Sequence, residues 1–262
     1  MTDARQRTAP IPAYLHLGGI QIGYKMSGEG EQILLLHGWG SSMESMELIF
    51  GELSQRYAVF ALDLPGHGQS EFPPGAWGVS DFAECVLRFM DALRIQRPHF
   101  IAHSFGGRVA IKLAAAHPER AGKLILVDSA GIPPPRSLRY HFRVLLGKMG
   151  KFAARHGGAL GESLRRHIYG AIGSREYLNA GPLRATFVKV VNEDLRPLLP
   201  RIQSPTLLIW GENDQDTPPA SGRIMERLIP KAELILLENA GHYSYLDQYG
   251  KFRLIVGRFL RE

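Results

Sequence analysis

HFIAHSFGG, residues 99–107, is the passage on which the fold turns. A short apolar run from His99 to Ala102 meets a serine and a glycine pair, and a helical pattern then runs from Phe105 to Ala116. A strand that passes straight into a helix needs a tight turn at Ser104, and crowding there demands small residues two places to either side. Gly106 meets that demand on one side and Ala102 on the other, where alanine stands in place of the more usual glycine. Read locally, Ser104 also suits the role of a helix N-cap. Residues elsewhere in the chain must separate the two roles.

Outward from this turn the chain keeps one rhythm. Continuous apolar runs at 33–36 (ILLL), 59–62 (VFAL), 124–127 (LILV), 206–210 (TLLIW) and 233–237 (ELILL) alternate with longer amphipathic stretches. Runs apolar at every position describe strands buried on both faces, as in a parallel sheet covered by helices. The intervening stretches predict helices near 43–55, 81–94, 105–116, 220–228 and 246–260, with Ser80 as N-cap of the second. Tyr14 to Lys25, alternating around Gly18-Gly19, predicts an edge hairpin. Strand and helix in alternation argue a doubly wound α/β sheet.

One interval departs from the rhythm. Between Val127 and Thr206 no further parallel strand is legible, and Pro133-Pro134-Pro135 opens a stretch with helical patterns at Leu138–Phe152 and Leu160–Tyr169. A structureless loop of that length does not suit a compact domain. It predicts a helical insertion, a lid over residues 132–199, with 1–131 and 200–262 forming the core domain. From Pro133 to Gly170 eight basic residues face the lone Glu162, although the whole chain of 262 residues carries only +6. Such a lid either presents a solvated basic face over an apolar underside or steers an anionic partner toward the protein.

Composition narrows the class. Hydrophobic residues make up 45% of the chain and charged ones 21%, as in ordinary globular proteins. MTDARQRTAPIPAY lacks the apolar centre of a secretory signal, and no run has the length of a membrane span. With Cys85 alone there is no disulfide framework and no cysteine cluster for zinc, which fits a cytoplasmic setting. HGWG and GHG lack the pattern of a phosphate-binding loop, no GxGxxG follows the first core strand, and no HExxH is present. No cofactor, no metal and no nucleic-acid partner are expected.

A serine hydroxyl becomes a useful nucleophile only beside a general base that a third group orients. Two later loops supply those groups, TLLIWGEND ending at Asp214 and ELILLENAGH ending at His242, each just past a buried strand. Carboxyl ends of neighbouring parallel strands converge on one edge of the sheet. Ser104, His242 and Asp214 are therefore the expected catalytic set. Asp216 and Asp128 compete for the acid's place, Asp128 first. Donors for a developing oxyanion are expected from the N–H of Phe105, which follows the serine, and of Trp39 in the loop LHGWGS, 36–41.

HGWG, DLPGHGQS (63–70), HSFGG, WGEND and AGH, in that order, resemble the α/β-hydrolase fold family over nearly the whole chain outside the lid. The resemblance implies a mostly parallel eight-stranded sheet flanked by helices, with a helical cap inserted after the sixth strand. It implies a structural loop at DLPGHGQS, hence no catalytic role for Asp63 or His67. The expected activity is hydrolysis of a carboxylic ester or similar acyl bond in a small molecule. The alternatives are a carbon–carbon bond hydrolase acting on a vinylogous diketone and a ligand-binding receptor with an idle triad.

Overall fold

The computed structural model describes residues 12–133 and 179–262. The apolar runs form one eight-stranded sheet from β1 (Ala13–Leu17), β2 (Ile20–Ser27), β3 (Gln32–Leu36), β4 (Ala58–Leu62), β5 (His99–His103), β6 (Leu124–Val127), β7 (Thr206–Gly211) and β8 (Ala232–Leu237). Their order across the sheet is β1-β2-β4-β3-β5-β6-β7-β8. β2 is antiparallel to both of its neighbours, and every other pairing is parallel.

The seven α-helices of the described residues are α1 (Glu47–Leu53), α2 (Val79–Ala92), α3 (Phe105–Ala116), α4 (Arg184–Asn192), α5 (Pro219–Leu228), α6 (Ser244–Asp247) and α7 (Tyr249–Arg261). They explain why the central strands are apolar at every position. Side chains alternate between the two faces of a strand. Leu34, Leu36, Phe100, Ala102, Leu126 and Trp210 therefore pack with side chains of α2 and α3 on one face. Ile33, Leu35, Ile101, Ile125 and Ile209 join Phe50 of α1 and Phe252 and Val256 of α7 on the other. Full burial of each such side chain contributes about 1.5–3 kcal/mol, so both faces hold the sheet in place under the loops at its carboxyl edge.

Three helix expectations need correction. Ser80 is not an N-cap: α2 starts at Val79, and the Gly78 N–H donates to Asp81 Oδ2 at 2.7 Å, so Ser80 lies inside the first turn. The helix expected at 43–55 divides into a 3₁₀ turn, Met43–Met46, and α1. There the Met43 N–H donates to the buried Asp63 Oδ1, at 2.7 Å, a tertiary anchor that local periodicity does not encode. The helix expected at 246–260 likewise divides at Gln248 into α6 and α7.

The helical patterns at Leu138–Phe152 and Leu160–Tyr169 lie outside the described residues. Of the stretch between β6 and β7, the described parts contain no strand; they hold α4 and the 3₁₀ turns Gly181–Leu183 and Arg196–Arg201. This segment is fastened to the core. Thr186 Oγ1 accepts from the Trp77 N–H at 3.1 Å, Arg108 Nη1 donates to the Glu193 carbonyl at 2.8 Å, and Lys112 pairs with Glu193 at 2.7 Å. No helix among the described residues is long and apolar enough to cross a membrane.

Candidate active site

At the end of β5, Ser104 adopts φ +49° and ψ −110°. A positive φ is uncommon for a residue with a side chain and marks stored strain. Backbone bonds hold it: Ser104 N–H donates to the Val127 carbonyl, and the Ser104 carbonyl accepts from Gly107 and Ala130, each at 3.0 Å. Gly106 is obligatory here, because a Cβ on it would lie 2.4 Å from the Leu36 carbonyl oxygen. The Ser104 side chain makes no capping bond to its helix. That removes the simple N-cap reading.

The hydroxyl is directed instead to a histidine 138 residues away. Ser104 Oγ lies 2.9 Å from His242 Nε2, and His242 Nδ1 lies 2.9 Å from Asp214 Oδ2. In the neutral ring the serine hydroxyl donates to Nε2 and the Nδ1–H donates to the carboxylate. Asp214, in the loop after β7, is buried and receives further donors: the N–H groups of Asp216 and Thr217 on Oδ1, at 2.9 and 3.0 Å, and Thr217 Oγ1 on Oδ2 at 2.7 Å. Burial alone would push this carboxyl up, but the His242 and Thr217 hydrogen bonds outweigh it and hold it below the usual range. For His242 burial works downward, and the hydrogen bond and charge of Asp214, with the charges of Asp128 and Asp216, carry the net shift upward.

The other acids are placed differently. Asp128 directly follows β6 with φ +45°, fully buried, and its carboxylate accepts from Gly211 N–H at 2.8 Å and from Ser244 N–H and Oγ at 3.0 and 2.6 Å. Burial pushes it up to about 7 against those three donors. It braces the backbone two residues beyond His242, whereas Asp214 receives the imidazole. Asp216 is exposed and contributes its N–H to Asp214. Asp214, Asp216 and His242 are also the group of metal-ligand type among the described residues, with one atom from each within 4.8 Å of the others. A cation there would have to displace the hydrogen bonds that Asp214 already accepts.

Trp39 and Phe105 come together at the serine. Phe105 is the first residue of α3, and its N–H belongs to the first-turn donors that find no partner within a helix. The indole of Trp39 meets the Phe105 ring edge-on, with centroids 5.2 Å apart, and also touches His67 at 4.9 Å and Phe187 of α4 at 5.1 Å. Asp63 accepts from the Met43 and Gln69 N–H groups at 2.7 and 2.8 Å, a structural use. His37 is likewise satisfied locally: its Nδ1–H donates to the Gly38 carbonyl at 2.7 Å and its Nε2 accepts from Leu64 N–H at 3.0 Å.

Thr217 and Phe187 went unnoticed in the sequence. Thr217 lies three residues after Asp214, a spacing at which Asp and Thr side chains commonly close a turn, and that spacing is the signal that could have found it. Phe187 carries no such sign, since it reaches Trp39 only through the docking of α4.

Known proteins similar to this chain in sequence or structure include several hydrolases. The chain is 28% identical over 249 residues to the pimeloyl-[acyl-carrier protein] methyl ester esterase of Aeromonas hydrophila, covering 89% of this chain and 96% of that one. It is 26% identical over 286 residues to the 2-hydroxymuconate semialdehyde hydrolase of Pseudomonas sp. CF600, covering 99% and 97%. Among solved structures, the enol-lactonase of Burkholderia xenovorans LB400 superposes with a TM-score of 0.75 at 25% identity, covering 95% of this chain and all of that one. The alpha/beta hydrolase family model matches residues 33–253, and the chain belongs to that family.

Proposed function

We propose that this protein is a serine hydrolase that cleaves a carboxylic ester, or a similar acyl bond, through an acyl-serine intermediate. The observation that supports it is the unbroken run of contacts, each of 2.9 Å, from Ser104 Oγ through His242 to Asp214, mounted on a strained turn that presents the hydroxyl. Ser104 Oγ attacks the carbonyl carbon while His242 Nε2 takes the hydroxyl proton. The carbonyl oxygen takes up the electron pair of its π bond, and the N–H groups of Phe105 and Trp39 hold the resulting oxyanion. Loss of one such donor raises a barrier by about 2.7–4 kcal/mol. When the tetrahedral adduct collapses, the alkoxide leaves with the proton from His242. Water then repeats the cycle on the acyl-serine and releases the carboxylic acid and free Ser104. Asp214 keeps the Nδ1–H tautomer and stabilises the imidazolium in both halves.

The proposal includes a cap over residues 132–199, of which α4 would be the last helix, with its Phe187 packed against Trp39. The basic stretch from Pro133 to Gly170 supports an anionic partner at that cap, and the lone Cys85 supports a cytoplasmic setting.

A second reading, hydrolysis of a carbon–carbon bond in a vinylogous diketone, is favoured by the near-full-length similarity to the 2-hydroxymuconate semialdehyde hydrolase. Fluorophosphonate labelling tests the shared nucleophile: an adduct on Ser104 is expected, and its absence would sink the proposal. Turnover of acyl esters of graded length beside a dienoate carbon–carbon substrate then separates the two readings.

A further inference from the structure

The loop that carries His242 has no regular structure of its own between β8 and α6, yet it is tied down at three points by side chains. Asp247 Oδ2 accepts from the Gly241 N–H at 2.8 Å, Asp128 accepts from Ser244, and His103 Nε2 lies 2.8 Å from the His242 carbonyl oxygen. The last contact spans 139 residues and joins the loop to the residue directly before Ser104.

We propose that His103 is a positioning residue, which donates its Nε2–H to the His242 carbonyl and so sets the distance between the nucleophile and its base. The inference rests on the roles proposed above for Ser104 and His242. A carbonyl oxygen can only accept, so the Nε2 of His103 must carry the proton. Burial, with a smaller push from His242, lowers the His103 ring to about 3, which keeps it neutral, and Nδ1 is left with a bare lone pair. That atom is buried and has no hydrogen-bond partner. It faces Gly38, where a Cβ would stand 2.8 Å away. The ring is 1% exposed and packed against His242, Tyr243 and Tyr245 at centroid distances of 5.0, 4.9 and 5.2 Å, with the charge of Asp214 nearby. An imidazole with one nitrogen unsatisfied is a poor choice for filling space, because an apolar side chain would avoid the desolvation cost of that nitrogen. Its single bond is what the apolar side chain would lack. One peptide unit therefore carries both Ser104 and the donor that holds the backbone of His242, and a shift of β5 moves both together.

The test uses His103→Met, which fills the site without a donor, and His103→Gln, whose amide N–H reaches about as far as Nε2. Both are compared with the wild-type protein for kcat and KM on p-nitrophenyl acetate, rate of fluorophosphonate labelling, melting temperature, and the ¹⁵N signals and titration of His242. The methionine variant should lose about 10- to 100-fold in kcat, the range expected for a displacement of up to 1 Å. Its KM should stay within about threefold, its His242 signals should shift, and the glutamine variant should recover most of the loss. A wild-type protein that is labelled at Ser104 while the methionine variant keeps both kcat and the His242 signals overturns the inference. A wild type that is never labelled sinks the hydrolase reading instead, and the His242 signals still decide the positioning. Should the methionine variant not fold, the wild-type spectrum decides: a neutral His103 with its proton on Nδ1 overturns the proposal, and one with its proton on Nε2 supports it.

Discussion

Asp128 Oδ2 holds Ser244 by both its hydroxyl, at 2.6 Å, and its N–H, at 3.0 Å, whereas Asp214 Oδ2 holds the His242 ring at 2.9 Å. Two buried carboxylates at the ends of neighbouring strands thus serve one loop, one through its backbone and one through the imidazole. Asp214→Asn should lower kcat by ~10⁴-fold, as the loss of the orienting acid does in such triads. Asp128→Asn should leave kcat within about tenfold and lower stability by about 1–3 kcal/mol, the cost of leaving a buried donor without its acceptor. Ester turnover and thermal melts on the two variants distinguish these outcomes, and a reversed ranking in kcat would make Asp128 the acid.

The charge network sets a pH dependence. His242 must be neutral to accept a proton, and its pKa is held above the ordinary 6.5 by Asp214 against the opposing effect of burial. The acid limb of the kcat/KM profile should therefore have its midpoint above pH 6.5 and move downward in Asp214→Asn, where burial remains and the charge is gone. A profile indifferent to that substitution would contradict the assignment. The stability contributed by His242 is fully present below pH 6.5 and is lost as pH rises through its raised folded value. That from Asp214 is present above its ordinary 3.8 and lost as pH falls through its depressed folded value. Their joint contribution should peak between the two.

Strain at Ser104 predicts a trade of stability against activity. Glycine accepts φ +49° with ψ −110° without the penalty that a side chain incurs, a relief of about 1–3 kcal/mol. Ser104→Gly should therefore melt higher than the wild type or no lower, after loss of the 2.9 Å bond to His242, while turnover falls by ~10⁴- to 10⁶-fold. A clear drop in melting temperature would show that the turn is not strained.

Gly106→Ala tests the crowding on the other side of the elbow. The added methyl would meet backbone oxygens at 2.4 Å, from Leu36, and 2.8 Å, from His37, neither free to move without shifting β3. Destabilisation of about 1–3 kcal/mol is expected, together with loss of fluorophosphonate labelling as the turn opens. Denaturant melts and labelling rates report the two effects separately.

Much of this was legible in the sequence because its causes are local or periodic. Strands apolar at every position, such as LILV at 124–127, announce a sheet covered on both faces, since each successive side chain must find a buried neighbour. Ser104, His242 and Asp214 each follow such a strand, so chain order sufficed to propose that they meet. The sequence favours Asp214 by position but leaves Asp128 as a rival, both acids just past a buried strand. Only the turn at Thr217, which aims the Asp214 carboxylate, and the capture of Asp128 by Ser244 separate them. The same holds for His103, whose contact with the His242 carbonyl spans 139 positions and has no local sign in the sequence. Periodicity and burial are written along the chain, whereas the direction of a side chain at a strand's end is set by whichever distant loop is packed above it.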